Sequence, residues 1–492
     1  MKILILDLDT LRPDHLGCYG YHRNTSPNID EIASEGIRFE KYYASDAPCL
    51  PSRAALVSGM FGIHNGAVGH GGTCADMRIE GASRSFHSEF ADNSLWSVFR
   101  RAGMYTCTIS PFAERHSAYW FLAGFNEIHN PFGKCGNETA DEMTPAVLKW
   151  IENNLDRENW VLHVNYWDPH TPYRAPEDFG NPFENDPIPN WLNPDILQEH
   201  LKLAGPHTAR DNAMYSGSPN PHYPRQINDI KDYDSLVRCI DGYDCGIKYL
   251  DEHIGKITAF LKEKGIWEET AVIVTADHGE NFGELGIYSE HGTADHITCR
   301  IPMIIKWPGM KKGHTDTGLH YNTDLAPTVA ELLNAPVWDK WDGTSYASAL
   351  SDASDCGRNE LILSQMTHVC QRSVRWDKWL YIKTYHDGYH PHFKDEMLFD
   401  IENDPHETTD LSEKFPEILS EGADRLQNWH EKMMESMPFS YTKDPMETVL
   451  AEGGPFHANA WRVPVEQYKQ RLKETGRGDK IPLIAARHPE FR

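Results

Sequence analysis

Ile3-Leu4-Ile5-Leu6 is a continuous apolar run that passes straight into Asp7-Leu8-Asp9. That is the pattern of a parallel strand buried on both faces, with polar residues gathering at its carboxyl end. Pro27 to Gly36 reads as a short helix, with Ser26 as its cap, Pro27 at its first position and Gly36 at its end. The alternation continues with a helix over 95–102, a strand over 105–110, a helix over 141–155 and a strand over 160–167. Asp232 to Lys264 carries Val237, Ile240, Ile247, Leu250, Ile254, Ile257 and Leu261 at helical spacing, which predicts one long amphipathic helix. Thr270 to Ala276 repeats the first strand's pattern and ends in Asp277; a strand over 302–307 and a helix over 324–334 follow. The expected fold is α/β, a large doubly wound and mostly parallel sheet whose site lies at the carboxyl ends of its strands.

The pattern changes near residue 355. Three strands, Glu360 to Gln365, Ser373 to Tyr385 and Met397 to Ile401, precede a helix from about Leu411 to Met434. They predict a smaller carboxy-terminal antiparallel sheet with a helix. The expected division is a catalytic domain over 1–355, an α+β subdomain over 356–437 and an extended tail over 438–492. The tail shows no clear periodicity. It is expected to wrap the surface or to reach a neighbouring subunit, a route to a homo-oligomer.

Composition narrows the function. Apolar residues form 40% and aromatics 11% of the 492 positions, which excludes a disordered or fibrous chain. The net charge of −26 repels nucleic acid and anionic membrane, so an anionic substrate needs a local site that overrides the global charge. No apolar run reaches the length of about 18 residues that a spanning helix needs. The opening apolar run is too short for a signal-peptide core, so the expected compartment is the cytoplasm. Ten cysteines are scattered without a C-x-x-C pair and read as reduced thiols.

Two acidic segments end strands that a parallel sheet would bring together: Asp9, in Asp7-Leu8-Asp9-Thr10, and Asp277, in Ala276-Asp277-His278-Gly279-Glu280. Carboxylates at adjacent strand ends form an oxygen-rich pocket for a hard cation such as calcium or magnesium; the alternative is that each caps the helix that follows. In Ala47-Pro48-Cys49-Leu50-Pro51-Ser52-Arg53-Ala54-Ala55-Leu56, Pro51 at the first helical position puts Cys49 at a helix amino terminus. Free N–H groups there attract an anion, and Arg53 one turn on adds a positive fork for oxyanions. The alternative is a buried cysteine on a loop.

These segments resemble the type I sulfatases of the alkaline phosphatase superfamily. The match rests on Asp9 to Arg12 with Gly17 to Gly20, Thr25 to Asp30, Cys49 to Arg53, Asp168-Pro169-His170-Thr171-Pro172, and Asp277 to Glu280, with Arg300-Ile301-Pro302 and Leu398 to Glu407 in support. The resemblance implies a sulfatase in which a maturation enzyme oxidises Cys49 to formylglycine, whose hydrated form attacks the sulfur of a sulfate ester. It implies that Asp9, Asp277, His278 and the modified Cys49 hold one divalent cation, calcium in most members and magnesium or manganese as alternatives. It also makes His170 the acid that protonates the leaving alcohol.

Three positions depart from the family pattern. Thr10 stands where many members have a second Asp. The sulfate-contacting lysine falls at His291 in Glu290-His291-Gly292, and the Gly-Lys-x-His motif after the strand at 105–110 is replaced by Pro111-Phe112-Ala113-Glu114-Arg115-His116. His116 takes that motif's histidine role, and Arg115 its positive charge. His64, His70, Trp167, Tyr173 and Arg174 flank these segments, and an arginine beside an aromatic suits an anionic sugar. The expected substrate is a small sulfated carbohydrate. The competing readings are a phosphonate monoester or phosphodiester hydrolase on the same fold, and a catalytically silent sulfosugar-binding protein.

Overall fold

The computed structural model describes residues 1–78, 88–214, 217–352, 356–438, 441–458 and 464–491. The main layer is an eight-stranded sheet in the order His314–Tyr321, Ile37–Tyr43, Met303–Lys306, Thr270–Thr275, Lys2–Leu8, Trp160–Tyr166, Tyr105–Ile109 and Glu127–His129. Lys2–Leu8 lies at its centre, parallel to both neighbours and buried at every position. Met303–Lys306 is the exception, antiparallel to Thr270–Thr275 and to Ile37–Tyr43. The strands Ile37–Tyr43 and His314–Tyr321, at one side of the sheet, lack a continuous apolar run, and their hydrophobic pattern did not predict them.

The long helix, Tyr233–Glu263, is where its periodicity put it. It packs against the loop that follows Trp160–Tyr166: a Cβ on Gly246 would sit 2.7 Å from the Asp168 carbonyl oxygen, so only glycine permits this approach. The helix Pro27–Ser34 also forms, but Ser26 does not cap it. The Ser26 hydroxyl instead accepts from Gly17 N (2.9 Å) and donates to Asp30 Oδ1 (3.0 Å), closing the preceding loop onto the helix.

A second sheet runs Glu396–Asp400, Trp379–His386, Cys370–Trp376, Glu360–Gln365 and Asp46–Ala47. The expected single strand over 373–385 is two strands joined at Asp377-Lys378, with Asp377 at φ 41°. An unbroken β-rich stretch hid that turn. The sheet's last strand, Asp46–Ala47, comes from the large domain and pairs parallel with Ser364 and Gln365. The two layers are therefore stitched together immediately before Cys49. The boundary expected at residue 355 falls within 353–355, outside the described residues, as does Arg492.

The tail is helical rather than extended, with Pro445–Ala451, Pro455–Ala458, Val465–Glu474 and Ile481–Arg487. Tyr468, Leu472, Ile484 and Phe491 form a small core with Ala204, Tyr389 and Phe456. Buried Asp211 accepts hydrogen bonds from Tyr468 Oη (2.9 Å), Arg471 Nε (2.8 Å) and both terminal nitrogens of Arg477 (2.7 and 2.8 Å). These tertiary contacts hold helices too short to persist alone. Among the described residues, no helix is long and apolar enough to cross a membrane.

Candidate active site

The central strands carry their acidic ends to one place. Asp7 lies opposite Thr275 on the adjacent parallel strand, so Asp9 and Asp277 emerge side by side two residues later. Thr10 turns the chain in the left-handed region (φ 57°), and its N–H donates to Asp277 Oδ1 (3.2 Å). The His278 N–H donates to the same oxygen (3.0 Å). The ring of His278 donates from Nδ1 to the Gly279 carbonyl (2.9 Å), which turns Nε2 toward Asp277 Oδ2 (3.2 Å) and Cys49 Sγ (3.1 Å). Gly279 is required there, because a Cβ would lie 2.2 Å from the Ile297 carbonyl oxygen.

Cys49 opens the helix Cys49–Ser58, two residues earlier than Pro51 suggested, and every residue of that helix is buried. Its first turn is pinned by Ser52, whose hydroxyl donates to the Asp277 carbonyl (2.6 Å), and by Asn322, whose amide donates to Ser52 O and Oγ. Arg53 does not face open space as an oxyanion fork. Its guanidinium is committed to Asp7 (Nε 2.8 Å, Nη2 3.0 Å), Asp9 (Nη1 3.0 Å) and Asp277 (Nη1 2.6 Å). It sets the positions of three buried carboxylates and offsets part of their charge.

Four imidazoles surround the Cys49 sulfur. His278 Nε2 lies at hydrogen-bond distance from it (3.1 Å), and His116, His170 and His291 act on it from around; the His291 ring centroid lies 4.0 Å from that of His278 and 5.5 Å from that of His170. Burial would raise the thiol, but the charge of His278 and the bonds from these rings hold Cys49 well below the usual thiol range. Burial pushes His116 down to about 4 and His170 down to about 3, which favours the neutral ring in both. His278 goes the other way: against burial, the adjacent Asp277 pulls it up to about 10. His291 is also raised well above the imidazole range against burial, by Glu290 (2.9 Å) and by contacts with Cys49 and Glu280 (3.3 Å). The expected sulfate-side histidine thus sits among groups that favour its charged form.

Asp9, Cys49, Asp277 and His278 each offer a ligand atom, and all four atoms lie within 4.8 Å of one another. Asp9 Oδ1 is buried and finds no hydrogen-bond donor among the described residues. Burial, then repulsion from Asp277 and Cys49, raise Asp9 well above the carboxylate range. Crowded buried anions with an orphaned oxygen are costly unless a cation joins them, so the donor set fits a hard divalent ion.

The flanking residues divide. Trp167 is 1% exposed and lies between Arg53 (5.6 Å) and Arg115 (4.7 Å), so it braces the site from behind rather than lining a sugar platform. Arg174 is buried and donates to the Trp167 and His170 carbonyls (2.6 and 3.0 Å), which shapes the Asp168-Pro169-His170 loop and leaves it unavailable as an anion clamp. Arg115 is half-buried and donates to the Cys135 carbonyl (3.0 Å). The His70 ring lies 5.0 Å from that of His116, tilted against it, whereas His64 is fixed between Asp342 and the Met433 carbonyl and belongs to the packing. Sequence reasoning missed Asp7, Asn322 and Glu290. Asp7 was legible in principle, since residues two apart on a strand share a face and Asp7 must point where Asp9 points. Asn322 and Glu290 carry no such signal.

Residues 2–335 match the Sulfatase family model, and residues 283–432 match the model for the carboxy-terminal region of N-sulphoglucosamine sulphohydrolase. An arylsulfatase of Clostridium perfringens is 25% identical over 85% of this chain and 92% of its own length. An N-acetylglucosamine-6-O-sulfatase of Bacteroides thetaiotaomicron is 24% identical over 71% of each chain. Among solved structures, a protein in complex with its substrate D-glucosamine-2-N,6-O-disulfate superposes with a TM-score of 0.70 at 18% identity, covering 91% of this chain and 99% of that one. The phosphonate monoester hydrolase of Agrobacterium radiobacter superposes at 0.66 and 18% identity, covering 88% and 95%.

Proposed function

The chain belongs to the sulfatase family and is a sulfuric ester hydrolase, and from that premise we propose that it removes sulfate from a small sulfated carbohydrate. The observation that carries this reading is the meeting of Asp9, Cys49, Asp277 and His278 within one 4.8 Å cluster at the amino end of a buried helix, ringed by His116, His170 and His291. Cys49 is only 1% exposed and Asp9 and His278 are fully buried, so an ester at the end of a small molecule reaches them more readily than one inside a polymer.

In this reading residue 49 is formylglycine in the mature enzyme, made by a separate maturation enzyme, and its hydrated form supplies both the attacking hydroxyl and a second hydroxyl for releasing sulfate. Asp9, Asp277, His278 and residue 49 would hold the divalent cation, calcium being the choice for the oxygen donors, and the bound ion would supply positive charge against the ester's oxygens. The chain's own residues do the rest. Arg53 keeps Asp7, Asp9 and Asp277 in place. His291, whose two ring nitrogens face Glu280 and Glu290, brings positive charge to the sulfate side of the site. His170 Nδ1 is occupied by the Thr171 carbonyl, which aims Nε2 at the reacting centre. The arriving sulfate anion favours protonation there, and that proton goes to the alcohol oxygen as the S–O bond breaks. His116, neutral and against the sulfur, orients the substrate.

The test pairs a mass with a rate. The intact mass of the peptide containing residue 49 should show aldehyde in place of thiol, and the enzyme should turn over aryl sulfate and monosaccharide sulfates faster than aryl phosphonate monoester. An unmodified Cys49 in active protein, or a preference for the phosphonate, would overturn the proposal.

A further inference from the structure

Next to His291 lies a second group of buried side chains, of which only Glu290 touches the reaction, through His291. His207 precedes the short turn Ala209–Asp211, Glu290 ends the strand Tyr288–Glu290, and His368 lies in the loop before the strand Cys370–Trp376. Each offers a ligand atom, and the three atoms lie within 4.8 Å of one another. Their exposures are 9%, 8% and 5%. Three separate stretches of chain converge here, and no short motif links them.

The contacts within the group are poor ones for an ordinary ion pair. His207 Nδ1 faces the Asn212 carbonyl (3.1 Å) and must donate to it, so in the neutral ring Nε2 carries a lone pair. That lone pair faces Glu290 Oε2 at 3.3 Å, and Nε2 has no hydrogen-bond partner among the described residues. Burial favours the neutral ring, pushing His207 below the imidazole range, while Glu290 is held well below the carboxylate range against burial by His291, His368 and His207. A lone pair set against a carboxylate in a buried site repels unless a cation lies between them. Glu290 Oε1 already serves His291, through its ring (2.9 Å) and its backbone N–H (3.1 Å), so Oε2 is the oxygen left over. His368 Nε2 completes the group 3.5 Å from Oε1, and burial pushes that ring down to about 3.

The scaffold holds the donors in this arrangement. His207 adopts φ 62°, a conformation rare for a residue with a side chain, and its backbone is tied by the Asp211 carbonyl (3.0 Å) and by Tyr288 N (2.8 Å). Asp211 is in turn the residue that the tail clamps through Tyr468, Arg471 and Arg477. A carbonyl behind Nδ1, fixing the tautomer so that Nε2 points inward, is the usual support of a metal-binding imidazole.

We propose that His207, Glu290 and His368 form a second cation site, distinct from the Asp9 cluster, that takes a borderline divalent ion of the zinc type. Two imidazole nitrogens and one carboxylate oxygen suit zinc rather than calcium, which wants six or more oxygens, and three protein ligands leave a fourth position open. Filled, the site places a fixed positive charge one residue behind His291.

The experiment uses the mature full-length enzyme, saturated with calcium and then exposed to zinc or cobalt. After gel filtration, elemental analysis should find one zinc per chain in addition to calcium, and cobalt should give visible absorption bands of a low-coordinate nitrogen and oxygen site. His207→Gln with His368→Gln should lose that zinc and those bands and keep the calcium. Asp9→Asn should keep the zinc. An anomalous zinc peak between the three side chains in crystals of the unaltered enzyme gives the same answer should the double variant fail to fold. No retained zinc in the unaltered enzyme overturns the proposal, as does zinc that survives in the histidine variant but disappears with Asp9→Asn.

Discussion

Arg53→Met separates a positioning arginine from an oxyanion binder. The substitution preserves much of the volume between Phe112 and Trp167 but deletes the hydrogen bonds that reach Asp7, Asp9 and Asp277. Breaking a fully buried ion pair by removing one partner costs about 3–5 kcal/mol. Three carboxylates lose their guanidinium at once, so the upper end of that range is expected at neutral pH in chelator. The pH dependence follows from Asp277. Against burial, the charges of Arg53 and then His278 hold it well below the carboxylate range, so in the parent it contributes stability above about pH 4 that fades only as pH falls further. Without Arg53, Asp277 and Asp9 are raised, take up protons in the folded state, and recover stability as pH falls from 7. The gap between parent and variant is therefore widest at neutral pH and narrows toward pH 5. Saturating calcium should narrow it too, because the ion supplies charge to the same oxygens. Urea unfolding at pH 7 and pH 5, with chelator and with calcium, measures all four quantities. A neutral-pH penalty under about 1 kcal/mol, or a gap that grows on acidification, would refute the assignment of Arg53 to the carboxylates.

Three further outcomes are expected. His170→Ala should slow a sugar sulfate by roughly 10²–10⁴ and an activated aryl sulfate far less, since a good leaving group needs little protonation; equal losses on the two substrates would make His170 a binding residue. Cys49→Ser keeps one nucleophilic oxygen and loses the second, so it should release at most one equivalent of alcohol and leave a sulfated Ser-containing peptide, detectable by mass; sustained turnover would exclude the two-hydroxyl mechanism. Because Glu290 and then Glu280 raise His291 in the mature enzyme, its charge is favoured at neutral pH and is lost as pH rises through the raised value. The pH profile of kcat/KM should therefore stay level through pH 6–8 and fall in the alkaline range, and His291→Gln should lower kcat/KM by about 10²–10³. A limb at the ordinary imidazole pH in the parent enzyme would place that proton elsewhere.

The chain's linear order carried the frame of the site. Apolar runs ending in Asp9 and Asp277 marked the central strands, helical spacing marked Tyr233–Glu263, and the segment around Cys49 marked the helix that faces them. Those features depend on neighbours within a few positions, which is the range over which periodicity and turn chemistry act. A parallel sheet by itself brings the strand ends at Asp9 and Asp277 together, whereas the placing of Cys49, His278, His170 and His291 beside them rested on the resemblance to the family.

Tertiary structure decided what each group is bonded to. Arg53 looks free one turn into its helix, and only the arrival of Asp7, Asp9 and Asp277 from two other strands consumes it. Arg174 and Trp167 flank His170 in sequence, yet packing turns them inward as supports. The antiparallel pairing of Met303–Lys306 and the helices of the tail hang on partners far along the chain. Whether His291 is charged depends on Glu290 and Glu280, and the grouping of His207 with His368 on segments 161 residues apart in number, 207 against 368. The physical reason is that a charge or a lone pair is set by what lies within about 4 Å of it, and in a buried site those neighbours are chosen by long-range pairing of strands and loops, a choice no local pattern encodes.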